Sequence, residues 1–107
     1  MNNYSIFKEI MENIETLDRH MTIIKTLLRE QPLGIIKMSQ QTGIPEHKIR
    51  YSLRILEHTG IIEASREGAI LTSDFIANKD QILQAARESS ARIERIYKEL
   101  KDILESP

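Results

Sequence analysis

Cysteine and tryptophan are both absent from the sequence. Without cysteine the chain has no disulfide, no thiolate metal site and no thiol nucleophile. The N-terminus, MNNYSIFKEIMENIE, shows no basic start followed by an apolar run, and no apolar stretch approaches the ~20 residues that a membrane-spanning helix needs. The sequence therefore predicts a cytoplasmic protein.

An excess of basic charge is also absent. Fifteen lysines and arginines are balanced by sixteen acidic residues, which gives a net charge of -1. A strongly basic composition would indicate binding to nucleic acid, and the overall charge of this protein gives no such indication. Residues 34–72 alone are net positive, with five basic and four acidic side chains. Any attraction for a polyanion must therefore be local.

The N-terminal third carries a heptad pattern with neither glycine nor proline between Ser5 and Glu30. The pattern consists of Phe7, Ile10, Ile14, Leu17, Met21, Ile24 and Leu28. Alternating steps of three and four predict a helix over residues 5–30. Thr16 can cap a second helix, so one helix or two nearly coaxial ones fit the pattern.

Glycine and proline divide the middle of the chain. Pro32 ends the first helix, and a short helix over residues 35–42 is closed by Gly43. A third helix, starting with Pro45, runs to Thr59 and stops at Gly60.

Two β-rich pieces follow the third helix. They are IIEAS and AILT, joined by REG, in which Gly68 supplies the unusual dihedral angles of a hairpin turn. From about Thr72 the pattern predicts one helix to the C-terminus, capped by Thr72 or Asp80.

Helical phase gives the third helix two distinct faces. Ile49, Leu53 and Leu56 share one face and predict its buried side. The opposite face bears His47, Tyr51, Arg54 and His58, flanked by Lys48 and Arg50. These side chains can hydrogen-bond base edges or phosphates.

The segment IIKMSQQTGIPEHKIRYSLRILEHTGIIEASREGAILT resembles the winged helix-turn-helix domains of bacterial and archaeal transcriptional regulators, the superfamily of the ArsR-, MarR- and PadR-like repressors. The resemblance spans about residues 20–72 and rests on Ser39 four positions before Gly43, on apolar Ile44 and Ile49, and on the TGIIE that leads into the wing. Pro45, where a Ser or Thr cap is common, and Ser39, where alanine is usual, depart from the family pattern.

The resemblance implies a mainly α fold with a three-helix core plus a two-stranded β-wing. The heptad patterns on either side add long N- and C-terminal helices, which are not diagnostic of any one family. The chain is then a single domain, residues 1–107, with an N-terminal helical extension over 1–18, a winged core over 19–72 and a C-terminal dimerisation helix over 73–107. Its implied function is that of a homodimeric regulator, most simply a repressor, that binds double-stranded DNA. The predicted DNA-binding residues are Lys37, Gln40, Gln41, His47, Lys48, Arg50, Tyr51, Arg54 and Arg66.

The terminal helices have two interpretations. They can pack on each other within one chain, residues 5–30 against 80–104, or join a second copy. The apolar stripe on the last helix is wider than one neighbouring helix readily covers, which favours a dimer. The predicted dimer interface comprises Ile82, Ala86, Ile93, Ile96, Tyr97, Leu100, Ile103, Leu104, Phe7, Ile10 and Ile14.

Other functions have weaker support. His47 and His58 are eleven residues apart on one helix, about 16 Å, too far to share a metal ion, and His20 has no neighbouring partner. No phosphate-binding glycine loop or catalytic carboxylate pair is present, so we expect no enzyme activity, no metal and no cofactor. The remaining alternative is a protein-docking module in a larger complex, because winged helices also serve that role.

Overall fold

A computed structural model describes residues 5–106, which form a mainly helical chain with one small antiparallel sheet. The elements in chain order are α1 (Ser5–Arg29), α2 (Ile35–Thr42), α3 (Glu46–His58), β1 (Ile62–Ser65), β2 (Gly68–Leu71), α4 (Ser73–Ala77) and α5 (Lys79–Glu105). The chain divides into two compact units, the first ending at Phe75 and the second beginning at Ile76.

The first helix is continuous, so the open choice between one helix and two is resolved in favour of one. Thr16 does not cap a second helix, since its hydroxyl donates to the Glu12 carbonyl one turn earlier. Ile23, Ile24 and Leu27 form the buried face of α1. Only Ile24 belongs to the heptad pattern, so the core face and the heptad stripe are largely different sides of this helix.

The first unit has one apolar core beneath its three helices and its hairpin. α1, α2 and α3 pack on one another, and the hairpin packs on α1 and α3. Fully or nearly fully buried are Ile23, Ile24, Leu27, Leu33, Met38, Ile49, Leu56, Ile62 and Ala69. The predicted inner face of α3 is confirmed at Ile49 and Leu56, while Leu53 is half-buried at its edge.

The turn between α2 and α3 is fixed by hydrogen bonds from both sides. Gly43 has a φ of 76°, and its N–H donates to the Ser39 carbonyl over 2.9 Å. The Ser39 hydroxyl donates to the Ile44 carbonyl over 2.6 Å. Alanine at position 39 would leave that carbonyl without this donor, which gives a physical reason for serine at this position. Pro45 lies just before α3 instead of being its first residue, because its ψ of 145° is extended.

The hairpin has a two-residue turn, Arg66 and Glu67, so the predicted three-residue connection was wrong. Gly68 belongs to β2 and pairs with Ser65. The other edge of β2 is also occupied. Leu33 and Ala69 exchange two backbone hydrogen bonds of 3.2 and 2.8 Å, and the Leu71 N–H donates to Gln31 Oε1 over 2.7 Å.

The C-terminal third contains two helices, and the prediction of one helix from Thr72 was wrong. Asn78, with φ of -101° and ψ of 20°, separates α4 from α5. Thr72 does cap α4, because its hydroxyl oxygen accepts the Phe75 N–H over 3.1 Å. The same hydroxyl donates to the Gly60 carbonyl over 2.6 Å and so fixes the start of α4 to the end of α3. Asp80 lies in the first turn of α5.

Candidate nucleic-acid interface

The outer face of α3 carries a cluster of basic side chains. Because Ile49 and Leu56 are buried, the residues on the opposite side of the helix must point outward. His47, Lys48, Arg50 and Arg54 are all exposed, and half of the Tyr51 surface is accessible. These five residues share one face because an α-helix has 3.6 residues per turn. A strand or a coil would not group them in this way.

An open cleft of about 430 Å³ runs along this face, and we call it the basic cleft. Its lining residues are Arg19, His47, Lys48, Arg50, Tyr51 and Arg54. No acidic side chain lines it, although the protein as a whole is net negative. Four of the six residues carry a permanent positive charge at neutral pH.

Arg19 was missed by the sequence analysis. It comes from α1, and its Nη1 donates a long hydrogen bond of 3.5 Å to Ser52 Oγ on the buried side of α3. Ser52 itself has no exposed surface. Arg19 lies one helical turn before Ile23, on the core face of α1, so correct assignment of that face would have pointed to it.

The cations of the basic cleft have no acidic partners among residues 5–106. The ion pairs of Arg92 with Glu88, Arg95 with Glu99 and Lys101 with Glu105 are between residues four apart on α5 and include none of these cations. Glu46 lies beside Lys37 and Arg50 in a neighbouring depression, and Glu57 lines the other side of Arg50 and Arg54. Both carboxylates stay outside the cleft, so its positive charge is available to an external anion.

Four of the nine predicted DNA-binding residues lie outside the basic cleft. Lys37 is the nearest, because it shares a depression with Arg50. Gln40 is exposed on α2, and Arg66 is exposed at the hairpin turn. The Gln41 side chain donates to Glu30 Oε1 over 3.0 Å, so one of its two N–H donors is already used within the protein.

His20 lies next to Arg19 on α1. Its Nδ1 is buried and has no hydrogen-bond partner. Burial and, to a smaller extent, the positive charge of Arg19 lower the pKa of His20 below its usual value of 6.5. The folded protein therefore favours the neutral form of the His20 imidazole.

This lowered pKa predicts a stability that falls in mild acid. The unfolded chain takes up the His20 proton at higher pH than the folded chain does. The contribution of neutral His20 to the free energy of unfolding is therefore complete above pH 6.5 and is lost as the pH falls below that value. We expect the urea midpoint to be lower at pH 5.5 than at pH 7.5, and His20→Gln to reduce that difference. His58→Gln, at an exposed histidine, is the matched control. An equal pH dependence in wild type and His20→Gln would contradict the prediction.

The predicted dimer residues are largely exposed in the single chain. On α5 the exposure of the four isoleucines, Tyr97 and Leu104 ranges from 39% at Ile82 to 73% at Leu104. Ala86 is also exposed, whereas Leu100 is half-buried. On α1, Phe7, Ile10 and Ile14 are each close to 40% exposed. Both helices therefore present exposed apolar side chains at helical spacing.

Two further kinds of feature are absent from the part of the chain that the structure describes. Within residues 5–106 no three histidine, aspartate or glutamate side chains lie close enough together to hold a metal ion. None of the helices in this range combines the length and apolar character that crossing a membrane requires.

Comparison with known proteins adds no assignment, because no family profile matches the chain and no curated protein matches it significantly.

Proposed function

We propose that this protein is a winged-helix transcriptional regulator that binds double-stranded DNA as a homodimer. The observation that carries the proposal is the basic cleft, in which Arg19 and the outer face of α3 gather positive charge without an acidic neighbour. A net charge of -1 disfavours nonspecific attraction to DNA, so a localised cluster is what a DNA-binding surface on this chain requires.

The order of the elements supports the winged-helix interpretation. Three helices are followed by a hairpin, and Leu33 pairs with β2 as a short third extended segment. In this arrangement α3 is the recognition helix and the hairpin is the wing. The N-terminal part of a recognition helix lies deepest in the major groove, so we expect His47, Lys48 and Tyr51 to contact base edges.

The remaining cations are suited to phosphates. Arg50 and Arg54 lie further along α3, and Arg19 extends the same positive surface onto α1. A guanidinium binds a phosphate through two parallel N–H groups, which fixes the position of a protein on the duplex. Lys37 and Gln40 on α2 and Arg66 on the hairpin turn add weaker contacts on either side.

A homodimer accounts for the exposed apolar stripes. The stripe on α5 includes Ile93, Ile96 and Ile103, each at least 45% exposed. Such a surface is costly in water and is typical of a protein interface. Two copies related by a twofold axis would present two recognition helices to half-sites about one helical turn apart, and occlusion of a promoter is the simplest resulting mechanism.

One experiment tests both parts of the proposal. Genomic fragments are selected on the immobilised protein, and the recovered duplex is then titrated in sedimentation velocity runs at several salt concentrations. We expect the free protein to sediment with the mass of two chains and the logarithm of the binding constant to fall linearly with the logarithm of salt, by ~0.9 for each phosphate contact. If no duplex is retained at low salt, the protein is not a DNA-binding regulator. A single-chain mass at micromolar concentration would refute the dimer.

A further inference from the structure

The apolar stripe on α5 consists of two rows of side chains that change in size along the helix. The central row, which we call the core row, contains Ile82, Ala86, Ser89, Ile93, Ile96, Leu100 and Ile103. The flanking row is spaced by seven residues and contains Leu83, Ser90, Tyr97 and Leu104. All of these side chains are exposed except Leu100, which is half-buried. In both rows the small residues lie in the N-terminal half of the helix, and the C-terminal half has only large ones.

The small residues leave a shallow depression on the surface of α5. Its volume is about 230 Å³, and it is lined by Ala85, Glu88, Ser89 and Arg92. These residues are one, two and three steps of three or four apart, so they form the four corners of a hole on the helix surface. In a coiled coil such a hole receives one large side chain of the facing helix.

We infer that α5 pairs with α5 of a second copy as an antiparallel coiled coil in which Ser89 lies opposite Leu100 of the second copy. The inference rests on the homodimer of the proposed function and specifies its helix, direction and register. In this register Ala86 lies opposite Ile103 of the second copy, so each small core residue meets a large one. Interfaces pack closely when large and small side chains face each other in this way.

A parallel pair would lack this complementarity. In a parallel coiled coil each core residue faces its own copy, so Ala86 would face Ala86 and Leu100 would face Leu100. The N-terminal half would then contain voids, while the C-terminal half would be crowded. The flanking row also favours the antiparallel direction, which places Ser90 beside Tyr97 of the second copy.

Charge complementarity fixes the register. Arg92 and Glu99 lie seven residues apart on the other flank of the core row. In the antiparallel pair this flank faces the same flank of the second copy, so Arg92 lies opposite Glu99 of the second copy. The twofold axis forms this ion pair twice. A shift of seven residues in one direction would place Arg92 opposite Arg92, and in the other direction Glu99 opposite Glu99, and both shifts bring like charges together.

The ion pairs within α5 are compatible with this interface. Arg92 Nη2 lies 2.8 Å from Glu88 Oε1, and Arg95 Nε lies 3.9 Å from Glu99 Oε1. A guanidinium has five N–H donors and a carboxylate has two acceptor oxygens, so Arg92 and Glu99 can each take a second partner. All four side chains are at least 55% exposed, which leaves them accessible to another chain.

Introduced cysteines test the direction of pairing, because the chain itself has none. Full-length Ser89→Cys and Leu100→Cys proteins, one of them tagged, are mixed, allowed to exchange subunits and oxidised. We expect the disulfide-linked heterodimer to exceed both homodimers. Opposite residues come within reach of a disulfide, whereas the two copies of position 89 would be eleven residues apart along the helices, about 16 Å. Ala86→Cys with Ile103→Cys repeats the test without a change at Leu100.

A second cysteine pair tests the register. Ser89→Cys and Ile93→Cys would face each other only after a shift of seven residues, so we expect little heterodimer from this mixture. A dominant heterodimer of Ser89→Cys with Ile93→Cys would refute the register. A Ser89→Cys homodimer as abundant as its heterodimer with Leu100→Cys would refute the antiparallel direction.

Charge exchange tests the ion pairs independently. Arg92→Glu and Glu99→Arg each place two pairs of like charges across the interface, so each should dimerise roughly tenfold more weakly in sedimentation equilibrium. An equimolar mixture of the two variants restores opposite charges at both contacts and should dimerise nearly as tightly as the wild type. Lys98→Glu, which reverses a charge on the outer face of α5, is the control and should have little effect. If the mixture dimerises no more tightly than either variant alone, Arg92 does not face Glu99.

These results separate the inference from the proposed function. If the protein sediments as two chains but neither heterodimer forms a disulfide, the pairing of α5 is refuted and the homodimer stands. If the expected heterodimers form but no duplex is retained on the immobilised protein, the pairing stands and the DNA-binding proposal fails. A single-chain mass would refute both the pairing and the homodimer.

Discussion

Replacing Tyr51 and Arg54 together with alanine is expected to weaken binding to the selected duplex by about two orders of magnitude. Each good side-chain contact to a base or phosphate contributes roughly 1–3 kcal/mol, and the two residues lie on the same exposed face of α3. Both are exposed, so the free energy of unfolding should change little. Fluorescence anisotropy with a labelled duplex measures the change in affinity.

Matched variants separate the lost contacts from the lost charge. Arg87→Ala removes one positive charge from the exposed surface of α5, where the side chain bonds only weakly to Gln84. We expect it to keep nearly the full affinity. Arg54→Lys keeps the charge but loses the planar fork and should be intermediate. If Tyr51→Ala with Arg54→Ala binds as tightly as Arg87→Ala, the outer face of α3 is not the DNA-binding surface.

Gly68→Ala is expected to lower the free energy of unfolding by roughly 3 kcal/mol, more than alanine at any other glycine that the structure describes. Gly68 has a φ of 136°, a backbone conformation that is essentially limited to glycine. A Cβ at this position would also lie 2.4 Å from the carbonyl carbon of Leu33 and 2.7 Å from the amide nitrogen of Gly34. These are backbone atoms, so no side-chain rotation can relieve the clash. Urea unfolding monitored by circular dichroism gives the change in the free energy of unfolding.

Gly43→Ala is the control for this prediction. Gly43 also has a positive φ, but nothing lies within 4 Å of an added Cβ. The cost there is that of the left-handed conformation alone, about 1–2 kcal/mol. In Gly68→Ala we also expect faster hydrogen exchange at the Ala69 amide, which donates to Leu33 in the wild type. An equal loss of stability in the two variants would mean that β2 does not lie against Leu33.

Local signals allowed much of this fold to be predicted. The bounds of α2 and the glycines after α2 and α3 follow from residues whose dihedral preferences act within one turn of chain. The inner face of α3 follows from the helical period. A long-range contact accompanies one error, because Gly68 enters β2 where Leu33 pairs with Ala69. The other error has a local reason: α4 ends at Ala77, where the sequence has neither glycine nor proline.

In the candidate site, too, local patterns predicted some residues, whereas contacts between distant residues could not be predicted. Five predicted DNA-binding residues line the basic cleft, and all five lie on α3, where helical phase alone brings them together. Arg19 depends on the packing of α1 against α3 and on its bond to Ser52, thirty-three residues away. Gln41 has a partner on a different element, Glu30, which no periodic pattern specifies.

The pairing of Leu33 with β2 also limits how the hairpin can associate with other chains. β2 has β1 on one side and Leu33 with the Gln31 side chain on the other, so its hydrogen-bonding groups are shielded from strand addition. The outer edge of β1 is the one left to another strand. It is four residues long, carries Glu63, and ends at the charged pair Arg66 and Glu67. Short, charged edges resist edge-to-edge aggregation, so self-association of this hairpin into extended sheets is disfavoured.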